Sequence, residues 1–223
     1  MLDFVLNFLF PPVCGICGKL DKHWICECCR KRIEKYERFK QINNKKIIEK
    51  NFNYLKDNIY FDEFLYCFEY KNLIRNLILK YKFLDCGYLS NLFANVILNN
   101  KKINEIFKSY DIMIPVPISK LKMKIRGYNQ TELITKHFKD YIKIDTKNLV
   151  KIRNTKTQST LHANERIQNV KNAFELKDAS SIENKNVILF DDIATTGLTV
   201  NEISKILKIA GARKVLVLVI AKD

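Results

Sequence analysis

One stretch near the C-terminus constrains the fold more than any other. Residues 187–190 form a bare apolar run, Val-Ile-Leu-Phe, followed at once by Asp191 and Asp192. Next come Ile193, Ala194, Thr195, Thr196, Gly197, Leu198 and Thr199. Val200, Ile203, Ile206, Leu207 and Ala210 then recur at helical spacing, and Gly211 stands where a helix stops. Residues 215–220 are a second uninterrupted apolar run. Strand, helix and strand in this order make a βαβ unit. Strands with no polar alternation belong to a parallel sheet covered on both faces, because neither face is left for water. The expected class is therefore α/β with a parallel sheet.

The loop inside this unit sits at the carboxyl end of a strand, where open α/β sheets bind ligands. A helix that opens across Thr195–Thr199 leaves backbone N–H groups without intrahelical acceptors, at the positive end of the helix dipole. That suits a phosphate. Gly197 lets the backbone close on the oxygens, Ala194 lies in the same turn, and the Thr195, Thr196 and Thr199 hydroxyls add donors. Asp191 and Asp192 are acceptors only. They repel a phosphate but suit two neighbouring ribose hydroxyls or a Mg²⁺ ion. Acids followed by a phosphate cradle have the polarity of a ribose 5-phosphate. A simple helix cap by Asp192 or Thr196 explains one residue and leaves the rest without a reason. Neither GxxxxGK[ST] nor GxGxxG occurs.

Five of the seven cysteines fall between positions 14 and 29. Cys14-x2-Cys17 and Cys26-x2-Cys29 have the spacing that lets four thiolates converge on one tetrahedral Zn²⁺. Cys28 is an alternative to Cys29 as fourth ligand, although the CxxC geometry favours Cys29. Gly15 and Gly18 give the turn its freedom. So short a segment has almost no core, and a structural zinc would itself drive its folding. The competing reading is a disulfide staple, which wants an oxidising compartment. Residues 2–10 make a poor signal peptide and a poor anchor: the run is short, carries Asp3 and Asn7, and has no basic leader. No stretch approaches the roughly 18 apolar residues of a membrane-spanning helix, so the expected location is cytoplasmic. Cys67 and Cys86 read as small buried hydrophobes.

Elsewhere the pattern predicts a short charged helix at 30–39, an aperiodic Lys/Asn-rich linker at 40–60 and a strand at 64–70. Amphipathic helices are expected at 72–83 and 88–98, a buried strand at 111–117, a helix at 130–138 and a strand at 148–152. The division that follows is a four-cysteine module at 1–39, the linker, and a ligand-binding domain at 61–223. The formal charge of +15 invites a nucleic-acid reading, but 31 of the 39 basic residues are Lys, a bias that A/T-rich codons supply without selection. Placement says more. Residues 101–172 carry 16 basic and 6 acidic residues, whereas 173–223 carry 7 of each. Within the basic block Lys120, Lys122, Lys124 and Arg126 alternate, which in an extended chain puts all four on one side. Tyr128 follows. A cationic track beside an aromatic ring is what single-stranded nucleic acid needs; a solvated loop, or charges gathered round an anion site, are the other readings.

The run VILFDDIATTGLT resembles the phosphoribosyl pyrophosphate (PRPP) signature of type I phosphoribosyltransferases. Further marks narrow the resemblance to the bacterial ComF family, which joins an N-terminal four-cysteine zinc module to such a domain. They are Leu9-Phe10-Pro11-Pro12, Leu79-Lys80-Tyr81-Lys82-Phe83, Pro115-Val116-Pro117-Ile118 and Arg126-Gly127-Tyr128-Asn129-Gln130. Arg153, Thr157, Gln158, Leu161, Arg166, Asn169 and Ala173-Phe174 complete the set. The departures are an extra Cys28, Tyr128 where Phe is usual, and Asp85 near an expected Gly. The resemblance implies that Asp191 and Asp192 hold ribose hydroxyls and Thr195–Thr199 the 5-phosphate, with Mg²⁺. It places residues 115–119 near the pyrophosphate and 153–161 in a mobile loop over the site. It also implies work on incoming single-stranded DNA in natural transformation, alongside a DNA-uptake translocase and recombination proteins. A catalytically active phosphoribosyltransferase is the alternative. The N-terminal cysteine of glutamine-using relatives has no counterpart, since position 2 is Leu.

Overall fold

A computed structural model describes residues 13–21, 25–52, 54–55, 58–84, 86–154 and 163–223. A five-stranded sheet organises them, in the order β1 (Glu37–Ile42), β2 (Glu63–Glu69), β7 (Lys214–Lys222), β6 (Asn186–Ala194) and β3 (Ile112–Pro115). The four strands from β2 to β3 run parallel, and β1 closes one edge antiparallel to β2. The expected α/β class holds.

Alternate side chains of each strand enter opposite cores. Ile188, Phe190, Leu216 and Leu218 pack under α3 (Asn72–Phe83), α4 (Leu89–Leu98), α5 (Lys101–Ser109) and α7 (Gln130–Thr135). Val187, Leu189, Val215, Val217 and Val219 pack under α2 (Lys45–Asn51) and α9 (Leu198–Ile209). This two-sided cover is why the runs at 187–190 and 215–220 needed no polar alternation. A two-stranded antiparallel ribbon, β4 (Leu149–Lys151) with β5 (Phe174–Leu176), stands beside the sheet and leads from α8 (Ala163–Val170).

Two parts of the sequence reading change. The helix expected at 30–39 is α1 (Glu27–Glu34), and the chain then becomes β1. The stretch read as a linker at 40–60 instead supplies the end of that edge strand, the helix α2 and a set of buried anchors. Ile48, Phe52, Leu55 and Ile59 are all buried, and Asn201 of α9 accepts from the Tyr60 N–H at 2.9 Å while donating to the Asn58 carbonyl at 2.8 Å. The second change is α6 (Lys120–Arg126), which is helical and not extended. Ser119 caps its N-terminus by accepting from the Lys122 N–H, and Gly127 closes it in the left-handed conformation at φ 76°. On a helix, alternate residues separate by about 200°. Lys122 and Arg126 therefore face one way, and Lys120 and Lys124 the other. The helix α5 was not expected, although Asn100 caps it and Ile103 and Phe107 form its buried edge.

Among the described residues no helix is long and apolar enough to cross a membrane. The Leu9–Pro12 mark, residues 1–12 as a whole, Asp85 and 155–161 of the expected loop lie outside the described residues.

Candidate functional site

The acid pair occupies the end of β6, which runs on through Asp191 and Asp192 to Ala194. Asp191 pairs in register with Val219 of β7. On the other side, Pro115 of β3 pairs with Phe190, and the Val116 N–H donates to the Phe190 carbonyl at 2.9 Å. The turn at 115–119 thus abuts the acids. Asn129 and Thr131 both donate to the Val116 carbonyl, at 3.1 and 2.8 Å, and so hold that turn from α7.

Beyond Ala194 the chain turns through Thr195, which is exposed, and Thr196, which is buried. The Thr196 hydroxyl accepts from the Leu198 N–H at 3.4 Å. Gly197 then takes φ 73° and starts α9, with Thr199 half-buried in its first turn. Glycine is required here twice over. Its φ is one that other residues reach only at a cost of about 1–2 kcal/mol. A Cβ on it would also meet the Phe52 ring at 2.8 Å. Phe52 cannot retreat, because it is wedged edge-on against Phe64 with centroids 4.8 Å apart. We expect Gly197→Ala to destabilise the fold by about 2–4 kcal/mol in urea unfolding, from the left-handed backbone plus overpacking; a loss below 1 kcal/mol would contradict it.

Cations ring the acids. Lys82 Nζ, from the last turn of α3, lies 2.9 Å from Asp192 Oδ1. Lys122 and Arg126 turn their side of α6 to the pair, and Lys122 is lowered from the ordinary lysine range by burial and by the charges of Arg126 and Lys82. Lys151 of β4 falls to about 8, through burial first and then the Lys122 charge. Burial and the neighbouring Asp192 carboxylate push Asp191 up to about 7, against the pull of Lys82. Two acceptor groups inside a cationic rim can take a diol on the carboxylates and anionic groups around them. Of these cations the sequence offers Lys122 and Arg126 either to a nucleic-acid track or to an anion site, and it singles out neither Lys82 nor Lys151 as a site residue. Arg153, expected in the mobile loop, uses its guanidinium on the carbonyls of Gln168, Asn169 and Lys171. Tyr128 is not an open stacking surface. Its hydroxyl donates to the Tyr81 carbonyl at 2.9 Å and its ring packs beside Tyr81. The exposed aromatic ring at this rim is Phe83, 64% exposed, with the Arg126 guanidinium 5.0 Å above it.

A second cluster lies on the opposite side of α3. The Sγ atoms of Cys14, Cys17, Cys26 and Cys29 are all within 4.8 Å of one another, and those of Cys17 and Cys26 are 3.7 Å apart. Zn–S bonds of 2.3 Å at tetrahedral angles put sulfurs about 3.8 Å apart, so the donor set can hold a metal ion. Cys28 points away to the surface beside Lys31 and Arg32, which leaves Cys29 as the fourth member. The first knuckle is closed by the Gly18 N–H donating to the Cys14 carbonyl at 2.8 Å, with Gly18 at φ 73°. Burial raises the Cys14 thiol, but backbone hydrogen bonds from Cys17, Cys26 and Ile16 outweigh it and hold it at about 6, whereas burial and the neighbouring thiols push Cys29 up. Cys14, Cys26 and Cys29 are buried in the same core as Phe68 and Leu77. Gly15 passes directly beneath the Tyr88 ring, and Lys80 Nζ donates to the Gly15 carbonyl at 3.1 Å.

Residues 132–223 match the phosphoribosyl transferase domain family. Competence protein F of Haemophilus influenzae is 39% identical over 108 residues, 47% of each chain. Competence protein ComFC of Streptococcus pneumoniae is 32% identical over 110 residues, covering 49% of this chain and 46% of that one. The chain is ComF-like. The DNA utilization protein YhgH of Escherichia coli O6:H1 is 34% identical over 107 residues, 47% of this chain and 46% of its own. The ComF-like chain thus spans about half the length of the curated relatives it matches. Its mostly parallel sheet, with acids at the end of β6, is the type I phosphoribosyltransferase fold.

Proposed function

We propose that this protein binds PRPP with Mg²⁺ at the end of β6 and serves a competence-associated role in handling single-stranded DNA. The observation that carries the reading is the acid pair enclosed by Lys82, Lys122, Arg126 and Lys151 and followed by the Gly197 turn. Asp191 and Asp192 hold the ribose diol or the Mg²⁺. The loop from Thr195 into the first turn of α9 at Thr199 takes the 5-phosphate, and the cations with the 115–119 turn take the pyrophosphate. Mg²⁺ would supply charge neutralisation for the phosphates. The four cysteines would hold a structural zinc. Titration calorimetry with PRPP and Mg²⁺ tests the reading, and absence of heat at millimolar PRPP would sink it. Incubation with PRPP, Mg²⁺ and a panel of nucleobases, followed for pyrophosphate release, separates a binding factor from an active transferase.

The DNA part of the reading rests on the names of the relatives, competence and DNA utilization, and on the surface next to the site. There Phe83 carries Arg126, and α6 sends Lys120 and Lys124 outward with Leu121 and Ile125, which are 56% and 75% exposed. Stacking of a base on an aromatic ring contributes about 1–3 kcal/mol. We expect Phe83→Ala to weaken binding of an oligo(dT) by roughly tenfold in fluorescence anisotropy. Lys120→Glu with Lys124→Glu should lower the slope of log K against log salt by about 2. Unaltered affinity in the first and an unaltered slope in the second would remove this surface from the reading. A DNA-uptake translocase and recombination proteins are the partners such a role calls for.

A further inference from the structure

Asp192 already has a partner before any ligand arrives. Lys82 Nζ is 2.9 Å from its Oδ1, and the two side chains are only 18% and 11% exposed. The lysine comes from outside the sheet, on the last turn of α3, and that turn is pinned in place. Tyr81 is fully buried, its hydroxyl donates to the Gln130 carbonyl at 2.7 Å, and its own carbonyl accepts from Tyr128. A diol that takes Asp192 must therefore displace or share an ammonium that has little water to turn to. An unpaired buried charge is far costlier than a paired one. Lys122 and Arg126, themselves cationic, stand close by and cannot receive it.

We propose that Lys82 is a built-in counter-ion of Asp192 that makes the site selective for a pentose 5-phosphate bearing a second anionic group, by passing from the carboxylate to that group on binding. The inference rests on the PRPP reading of the site. A sugar with only its 5-phosphate places that anion at the α9 turn and offers the displaced ammonium nothing. PRPP brings a pyrophosphate on the anomeric carbon, next to the hydroxyls that Asp192 receives. Lys82 is thus a positioning and selectivity residue, exchanging one anionic partner for another with no covalent step.

The test compares PRPP with ribose 5-phosphate, each with Mg²⁺, in calorimetry on the wild type, Lys82→Met and Lys82→Arg. Lys82→Met should weaken PRPP by at least tenfold and leave ribose 5-phosphate unchanged or tighter, since its competitor for Asp192 is gone. Lys82→Arg should keep most of the wild-type preference. Parallel weakening of both ligands, or unchanged PRPP affinity, would overturn the proposal while leaving the PRPP site standing. Wild-type protein that binds neither ligand would overturn both. If Lys82→Met does not fold, Lys82→Gln read by the same ratio of affinities decides between the same outcomes.

Discussion

Asp191→Asn combined with Asp192→Asn should reduce PRPP affinity by roughly 10²–10⁴-fold, because each carboxylate–hydroxyl hydrogen bond contributes about 1.5–3 kcal/mol. The fold should survive. The acids lie near the end of a strand whose apolar run, 187–190, is buried on both faces, and Asn keeps the shape. Asp191, already raised to about 7 by burial and by Asp192, gives up a carboxylate that the folded chain disfavours. Asp192→Asn alone leaves Lys82 facing an amide, so the single variants should differ: Asp192→Asn lowers Tm and Asp191→Asn does not. Calorimetry for affinity and thermal unfolding for stability check both halves. Full PRPP affinity in the double variant would end the ribose assignment.

The second large effect concerns the cysteines. Purified protein should carry about one zinc per chain by atomic emission, and Cys26→Ser should lose it. Metal binding at such sites is folding free energy, of order 10 kcal/mol in zinc-finger peptides, and total stability is itself only about 5–15 kcal/mol. Cys14, Cys26 and Cys29 share a core with Phe68 and Leu77, so the loss reaches beyond the knuckles. Even about 4 kcal/mol lost moves Tm by roughly 8–16 °C for a chain of this size. Chelation should produce that shift, and zinc should restore it. Metal-free protein with an unchanged Tm would refute the assignment.

The βαβ unit was legible because nothing in it depends on distant residues. Two apolar runs, a capped helix and a glycine at Gly211 speak through local pattern alone. The place of the acids at the carboxyl end of the strand was legible for the same reason, although β6 continues through them to Ala194 and the helix begins only at Leu198. The edge strand β1 was missed since its outward half faces water: Glu37, Arg38, Lys40 and Gln41 dilute the apolar signal, and only Ile42 is buried. For α6 the alternation of Lys120, Lys122, Lys124 and Arg126 imitated a strand. The better signal was the bracket around it, Ser119 as cap and Gly127 eight residues on, which marks a short helix. Phe52 and Lys82 gave no sign of their roles. One stands beneath Gly197 and the other on Asp192, and both contacts are made by the tertiary fold across more than a hundred residues of chain.

The last turns of α3 bind on two sides at once. Lys80 reaches the Gly15 carbonyl in the first knuckle, and Lys82, two residues later on the other side of the helix, reaches Asp192. The two sites therefore share a single strut. If the cysteines hold a metal, its loss would free one end of that strut, and the other end is the lysine that pairs with Asp192. On the proposed reading the cysteine module would moor a helix whose last turn reaches the acids, and stripping the metal should then lower PRPP affinity in calorimetry.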